Sequence, residues 1–145
     1  MSNENKLLTE LLDLKHVRVT KYQLKGSNGI EVKVESSLKA AICPECQSPS
    51  DRVHEVSPEQ KLRDLSIWQR RCWLLYQPRR FKCERCQNTF VERVGWREGG
   101  LNYTVRYETF LYERVRRETM AQVAKDEGLS EDIVAGVFAR LAKKK

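Results

Sequence analysis

Four of the five cysteines form two Cys-x-x-Cys pairs, a residue type and spacing that can bind a metal ion. The pairs are Cys43-Pro44-Glu45-Cys46 and Cys83-Glu84-Arg85-Cys86. A tight turn at each pair can direct two thiolates at one ion, and two such turns supply the four sulfur ligands of a tetrahedral zinc site. The sequence therefore predicts one structural Zn²⁺, with the ligands Cys43, Cys46, Cys83 and Cys86.

Two other uses of these cysteines compete with zinc. Disulfides are disfavoured, because five cysteines leave one unpaired and the N-terminus does not resemble a signal peptide. An iron–thiolate electron carrier also uses two Cys-x-x-Cys turns, but such carriers are small and usually acidic, whereas this chain is basic. Colour separates the two metals, since an iron–thiolate protein is red and a zinc protein is colourless.

Two residues between the pairs could be mistaken for ligands. His54 carries a ligand nitrogen, but four thiolates already complete a tetrahedral site. We therefore expect His54 to be a hydrogen-bonded residue packed beside the metal site. Cys72 lies next to Trp73 and Leu74, and there we expect a small apolar side chain in a strand rather than a reactive thiol.

The composition indicates one domain, or two small ones that share little core. The chain has 145 residues, of which 40% are hydrophobic and 32% are charged. Such a polar chain builds small cores, so metal binding would contribute much of its folding free energy. No apolar run approaches the roughly 20 residues that a membrane span requires. No targeting segment is evident, so we expect a cytoplasmic protein.

The net charge of +7 is concentrated in one segment. Residues 61–93 have a balance of +6, against −1 for residues 1–60 and +2 for residues 94–145. Local positive charge is typical of a phosphate-binding surface, so we predict double-stranded DNA as the partner. The predicted contacts are Arg70, Arg71, Arg79, Arg80, Lys82 and Arg85. The two arginine pairs can lie side by side if their strands fold back near the metal. A solvated basic face is the alternative.

The first two-thirds of the chain shows mostly the two-residue period of strands. A leucine-rich helix over residues 5–14 precedes a hairpin, whose loop is Lys25 to Gly29 and whose first strand has a bulge near Lys21. Further strands are predicted in the order 52–56, 61–67, 70–76, 79–82 and 89–93. The 36 residues between Cys46 and Cys83 would then be a hairpin-rich insert.

From residue 103 the hydrophobic period is that of helices. Helices are predicted over 103–116, over 119–127 and from a Ser130 cap to about residue 141, with a turn at Gly128. Together with the small Ala124, this is the pattern of a helix-turn-helix, and a plain three-helix bundle is the alternative. Glu131 and Asp132 begin the last helix, so among its residues we assign a DNA contact only to Arg140.

These patterns predict an α+β protein with two domains. A zinc-ribbon-like antiparallel β domain with an N-terminal helix would occupy residues 1–94. A linker would occupy residues 95–102, and a small three-helix helix-turn-helix domain would occupy residues 103–145.

The order of the motifs resembles the zinc-binding N-terminal region of ISL-three family transposases, which are bacterial insertion-sequence enzymes. The similarity lies in both cysteine turns and in the runs Arg52-Val53-His54, Leu62-Arg63-Asp64-Leu65, Arg79-Arg80-Phe81-Lys82, Thr89-Phe90-Val91-Glu92-Arg93, Val123-Ala124 and Gly128-Leu129-Ser130. The resemblance implies recognition of transposon-end DNA. In the family, a separate RNase H-like domain performs the chemistry. Such a fold needs about 100 residues or more, and no acidic residue here matches its catalytic set. We therefore expect no catalytic residues and no enzyme activity.

The rival function is a zinc-stapled protein-interaction or oligomerisation module. In that case the leucine-rich helix over residues 5–14 would bind a partner protein or a second copy of the chain, which makes a homodimer a candidate. Salt dependence distinguishes the two functions, because phosphate neutralisation makes DNA affinity fall with salt while an apolar interface barely responds.

Overall fold

The structure, a computed structural model, describes residues 2–98 and 101–144. Gly99 and Gly100 of the predicted linker, and the last lysine of the C-terminal tail, lie outside the described residues. The elements in chain order are α1 (Asn3–Leu12), β1 (Val17–Lys25), β2 (Gly29–Ser36), β3 (Ala41–Ile42), β4 (Pro49–Ser50), β5 (Val53–Val56), β6 (Gln60–Ile67), β7 (Arg70–Tyr76), β8 (Arg79–Lys82), β9 (Thr89–Val91), α2 (Val105–Val115), α3 (Met120–Glu127) and α4 (Glu131–Ala142).

The largest sheet has four strands in the order β1-β2-β7-β6. β1 and β2 form the predicted hairpin, and their register shifts between Val19 and Lys21, which confirms the bulge. The turn uses Gly26 at a φ of 63°, a conformation that glycine adopts without steric cost. The α+β class is also confirmed.

The expectation of a purely antiparallel sheet is wrong in one place. β2 and β7 pair in parallel, with Val32 opposite Leu74, while the β1–β2 and β6–β7 pairs are antiparallel. Parallel neighbours need a long crossover connection, and here the crossover contains β3 to β6. Hydrophobic alternation identifies strands but carries no information about the direction of a non-sequential neighbour.

The four-stranded sheet has its own apolar core beneath α1. Val19, Val32, Leu62 and Leu74 are fully buried in it. Cys72 is buried in the same cluster, where burial, followed by the charge of Asp64, raises the pKa of the thiol to about 12. The expectation that Cys72 behaves as an apolar core residue is confirmed.

A separate small unit, called here the zinc ribbon, contains β3, β4, β5, β8 and β9 with both cysteine turns. β5, β8 and β9 form an antiparallel sheet, and β3 pairs with β4. Phe81 and Phe90 stack with ring centroids 5.9 Å apart and pack against Cys43 and Cys83. This cluster shares no buried residue with the core under α1.

The last three helices pack around a third apolar cluster, which includes Tyr107, Val123 and Val134. Each begins at a hydroxyl N-cap, and Gly128 ends α3 in the left-handed conformation at a φ of 67°. With α1, the described residues contain four helices, so a three-helix arrangement describes only α2, α3 and α4. That α3 and α4 act as a DNA-binding helix-turn-helix stays a prediction. No helix in residues 2–98 and 101–144 is long and apolar enough to span a bilayer.

A buried carboxylate joins the four-stranded sheet to the helices. Asp64 on β6 is inaccessible to solvent and accepts hydrogen bonds from the Thr104 hydroxyl at 2.8 Å and from Arg106 at 2.6 and 2.9 Å. Arg106 also donates to the carbonyl of Leu12 at the end of α1. Hydrogen bonding to Asp64 raises the pKa of Arg106 above its ordinary value. One ion pair therefore ties β6, α1 and α2 together.

The preceding residue makes a second connection on the opposite side of β6. Arg63 is 5% exposed, and its guanidinium lies 5.3 Å from the ring centroid of Trp73 and 4.9 Å from that of Tyr107. It also donates to Glu127 at the end of α3, at 3.2 Å. The Tyr107 hydroxyl donates to the same carboxylate at 2.7 Å. The four-stranded sheet and the helices are thus held together by buried charged groups.

We expect Asp64→Ala to lower the free energy of unfolding by about 3 kcal/mol, measured by urea denaturation. Removing one partner of a buried ion pair leaves the other uncompensated, and the partial exposure of Arg106 keeps the cost at the low end. Glu35→Ala is the matched control, since it breaks an exposed ion pair with Arg18 and should cost less than about 1 kcal/mol. Equal costs for the two variants would contradict the role of Asp64.

Candidate metal centre and basic surface

The two cysteine turns have nearly identical backbone geometry. In the first, the N–H of Cys43 donates to the carbonyl of Ser48 and the N–H of Gln47 donates to the carbonyl of Cys43, both at 2.9 Å. In the second, Cys83 donates to Asn88 at 2.8 Å and Gln87 donates to Cys83 at 2.9 Å. Two equivalent turns face each other, as two halves of one site.

A glutamine after each cysteine pair stabilises its turn, and the sequence analysis missed this. Gln47 and Gln87 have φ values of 62° and 65°, in the left-handed region that few side chains adopt. Each side-chain amide donates back into its own turn, to the carbonyl of Pro44 at 3.1 Å or of Glu84 at 2.8 Å. The repeated pattern Cys-x-x-Cys-Gln was the available signal.

The sulfur positions fit one tetrahedral zinc ion. All four Sγ atoms lie within 4.8 Å of one another. The distance is 3.7 Å between Cys43 and Cys86 and 3.4 Å between Cys46 and Cys83. Zinc–sulfur bonds of about 2.3 Å in a tetrahedron require sulfurs about 3.8 Å apart. A disulfide needs about 2.05 Å, and all five cysteines are free thiols.

The surroundings shift the pKa values of two of the four thiols in opposite directions. Hydrogen bonds from the Ser48 side chain and backbone lower the pKa of Cys46 to about 6. For Cys86, the lowering by the Asn88 backbone is outweighed by burial and by the other thiols, which raise its pKa to about 11. Four thiolates in such close proximity repel one another unless a cation balances them. A divalent ion supplies that charge. Since four thiolates fill its tetrahedral coordination, the site is structural.

His54 does not belong to the metal site. The four cysteines form the ligand group without it, and its side chain is exposed at a register shift between Val53 and Glu55. The expectation that His54 packs beside the metal site is wrong, because all four residues of β5 are exposed and the strand has no buried face. The exclusion of His54 as a ligand agrees with this position.

Two of the predicted DNA contacts have intramolecular carboxylate partners. Arg79 donates to both oxygens of Glu92 at 2.7 Å and to the carbonyl of Leu38 at 3.0 Å. Arg140 forms an ion pair with Glu108, which is 1% exposed. Hydrogen bonding to these carboxylates raises the pKa of each guanidinium. Both residues therefore have structural roles, and neither guanidinium is free of a counter-charge.

The two arginine pairs do not lie side by side. Arg70 begins β7, where it donates to the carbonyls of Gly26 and Gly29 at 3.1 and 3.2 Å. Arg71 donates to the carbonyl of Asp126 at 3.1 Å, and a Cβ atom at Gly128 would lie 2.5 Å from its guanidinium. Arg79 follows the far end of β7, about 20 Å away along a strand of this length. Because β7 runs on through the four-stranded sheet, the strands do not fold back in the way that would bring the two pairs together.

The remaining predicted contacts lie on the zinc ribbon. Arg80 and Lys82 alternate with the buried Phe81 on β8, so both point to the outer face of the sheet. Arg85 is exposed at the second cysteine turn, where it donates to the Ser48 hydroxyl at 3.3 Å. Neither Arg80 nor Lys82 forms an ion pair with any residue in the described part of the chain.

The fold and the sulfur geometry define a structural zinc ribbon, a class of small metal-stabilised unit without chemistry of its own. Residues 39–86 match the model of the zinc finger of the transposases IS204, IS1001, IS1096 and IS1165. A curated relative, the transposase for insertion sequence element IS1001 from Bordetella parapertussis, is 30% identical over 67 residues. Those residues are 46% of this chain and 16% of the relative. No solved structure matches.

The resemblance found in the sequence is therefore confirmed: residues 39–86 are similar to the zinc ribbon in the N-terminal region of ISL-three family transposases. The match lies in a region that is not itself catalytic. One structural zinc ion, held by the four cysteines, agrees with both the family and the geometry.

We expect one zinc ion per chain, measured by metal analysis of the purified protein. Cys83→Ser should lose most of the zinc, because a neutral hydroxyl is a poor substitute for a buried thiolate ligand. Cys72→Ser is the matched control, since its sulfur lies in a different core and its zinc content should be unchanged. Full zinc content in Cys83→Ser would contradict the four-thiolate assignment.

We expect strong chelation to unfold the zinc ribbon while the four-stranded sheet and the helices remain folded. The ribbon core is small and depends on the metal, whereas the other two cores are joined through Arg63 and Asp64. Hydrogen exchange should show lost protection in β8 and retained protection in β7. Lost protection in β7 as well would instead indicate one cooperative unit.

Proposed function

We propose that this chain is a zinc-dependent DNA-binding module that recognises double-stranded DNA, such as sites at transposon ends. The observation that carries the proposal is the outer face of β8, where Arg80 and Lys82 have no carboxylate partner among the described residues. Their role is recognition, without strand-transfer chemistry. A DNA partner would place the protein in the cytoplasm.

The neighbouring strands keep the outer face of β8 open to a phosphate backbone. Arg80 lies opposite Glu55 and Val91, and Lys82 lies opposite Thr89. Apart from Glu55, no acidic side chain stands directly across from either cation in this sheet. Cationic side chains that have no internal partner can neutralise phosphates without first breaking an ion pair.

The metal site and the ribbon core fix the position of β8. β8 ends at Lys82, directly before Cys83, and its Phe81 packs into the cluster with Cys43 and Phe90. The carbonyl of Lys82 accepts a hydrogen bond from the Ser50 hydroxyl, which links the two halves of the ribbon. A surface held in this way loses little conformational entropy on binding, which favours affinity.

The helices supply a weaker contact in this proposal. On α4, the exposed positions include Ile133, Gly136 and Ala139, which offer no hydrogen-bonding group for bases. Arg140 is paired with Glu108. If α3 and α4 act as a helix-turn-helix, as we also propose, they position the protein on the backbone, with Arg117 and Lys125 as exposed cations. The proposed domains remain residues 1–94 and 103–145, with a linker between them.

We expect the double variant Arg80→Ala/Lys82→Ala to weaken binding to all duplexes and to flatten its salt dependence. Each lost phosphate contact lowers the magnitude of the log–log salt slope by about 0.9, so two contacts lower it by about 1.8. Fluorescence anisotropy with a labelled duplex at several salt concentrations measures both quantities. Zinc content should be unchanged, since neither side chain faces the metal.

Arg117→Ala/Lys125→Ala is the matched control, because it removes the same charge from the helical surface. Arg79 and Arg140 are unsuitable for this comparison, since their loss would leave the buried carboxylate of Glu92 or Glu108 without its cation. A larger loss of binding in the helical variant would contradict the leading role of the ribbon. Salt-independent binding, or none, would favour the protein-interaction function instead.

A further inference from the structure

Five large apolar side chains on and beside α1 remain exposed and serve neither the metal site nor the basic surface. Their exposed fractions are 57% for Leu7, 54% for Leu11, 40% for Tyr22, 54% for Leu24 and 91% for Trp68. All five line one groove of about 620 Å³. We call this set the leucine patch. Contiguous apolar patches of a few hundred Å² on a soluble protein mark sites of interaction.

Trp68 is the most informative member of the leucine patch. It is the first residue of the two-residue turn between β6 and β7, at a φ of 54°. Glycine is the usual residue at a turn position with positive φ, because a bulky side chain is sterically unfavourable there. The chain places an almost fully exposed indole there, with an apolar surface of about 200 Å².

The leucine patch contains both halves of an apolar contact. Leu8, Leu11 and Ile67 line the groove together with Trp68, whose side chain is 91% exposed and can project out of it. In a contact with two-fold symmetry, the same patch meets itself, so the projecting indole of each protomer can enter the groove of the other. A patch with only a groove or only a projection would need a different partner.

The rim of the groove carries one acidic and one basic side chain, so the rims of two copies can be complementary in charge. Glu4 and Arg70 both line the groove, and among the described residues neither forms an ion pair. Arg70 uses one terminal nitrogen for the carbonyls of Gly26 and Gly29, which leaves its other N–H groups available. A two-fold axis through the patch can place each Glu4 against the Arg70 of the other protomer. The rim is neutral overall, so it does not favour nucleic acid.

We propose that the leucine patch is the interface of a symmetric homodimer of this chain, independent of the metal site and of DNA binding. A standard interface buries about 800 Å² per partner around an apolar core. The leucine patch supplies that core, with Trp68 as the anchor and the Glu4–Arg70 pairs at the rim. Buried aromatic anchors of this kind usually carry the largest share of the binding free energy.

Sedimentation velocity of the zinc-loaded chain, over concentrations up to about 100 μM, tests this proposal. We expect a reversible dimer. Leu7→Glu/Leu11→Glu and Trp68→Ala should each raise the dissociation constant at least tenfold. All three side chains are more than half exposed, so the fold should persist. Leu38→Glu is the matched control, since Leu38 is 45% exposed outside the leucine patch and its loss should leave the dimer unchanged.

Exchanging the charges of Glu4 and Arg70 tests whether the partner is a second copy of this chain or a different protein. Glu4→Arg alone should weaken the dimer by opposing two cations, and adding Arg70→Glu in the same chain should restore it, because each interface then carries reversed pairs. A wild-type chain that stays monomeric at about 100 μM would overturn the proposal. So would a dimer that all patch variants leave intact. A Trp68→Ala variant with unchanged mass and weakened duplex binding would assign the patch to DNA and also overturn it.

Discussion

The architecture depends on one constraint, which is that two cysteine pairs separated by 36 residues must meet at a single metal ion. The chain between them has to leave the first turn and return to the second. It does so through β6 and β7, which leave the ribbon, complete the four-stranded sheet and bring β8 back. The metal therefore closes a loop that contains much of the sheet core, and it determines where β8 presents its side chains.

Several basic side chains of this chain stabilise the fold through ion pairs and are not available to bind a partner. Arg63, Arg79 and Arg106 are basic in the sequence, but each donates to a carboxylate whose side chain is at most 12% exposed. Such pairs stabilise one arrangement of the elements, because breaking them leaves a charge in a region of low dielectric. In the segment 61–93, three basic residues, Lys61, Arg63 and Arg79, are ion-paired within the fold and are not free for a partner. Charge counting locates a basic segment, but ion pairing decides which residues can act on a partner.

The metal site and the leucine patch are separated in the fold, and this separation allows different roles. The ribbon presents polar and cationic groups on β8, supported by zinc. The leucine patch lies on α1, on β1 and on the turn between β6 and β7. An apolar contact responds little to salt, and a phosphate contact responds strongly. The two surfaces can therefore be studied independently.

Local residue patterns determined most elements and the metal ligands, because they depend on short-range geometry. The Cys-x-x-Cys turns, the bulge near Lys21 and the caps at Gly128 and Ser130 follow from a few adjacent residues. Tertiary structure alone decided the parallel pairing of β2 with β7, the exposure of His54 and the separation of Arg70 from Arg79. It also decided that Asp64 lies buried between the sheet and α2. Those features depend on contacts between residues far apart in the chain, and hydrophobic periodicity contains no information about which distant segments become neighbours.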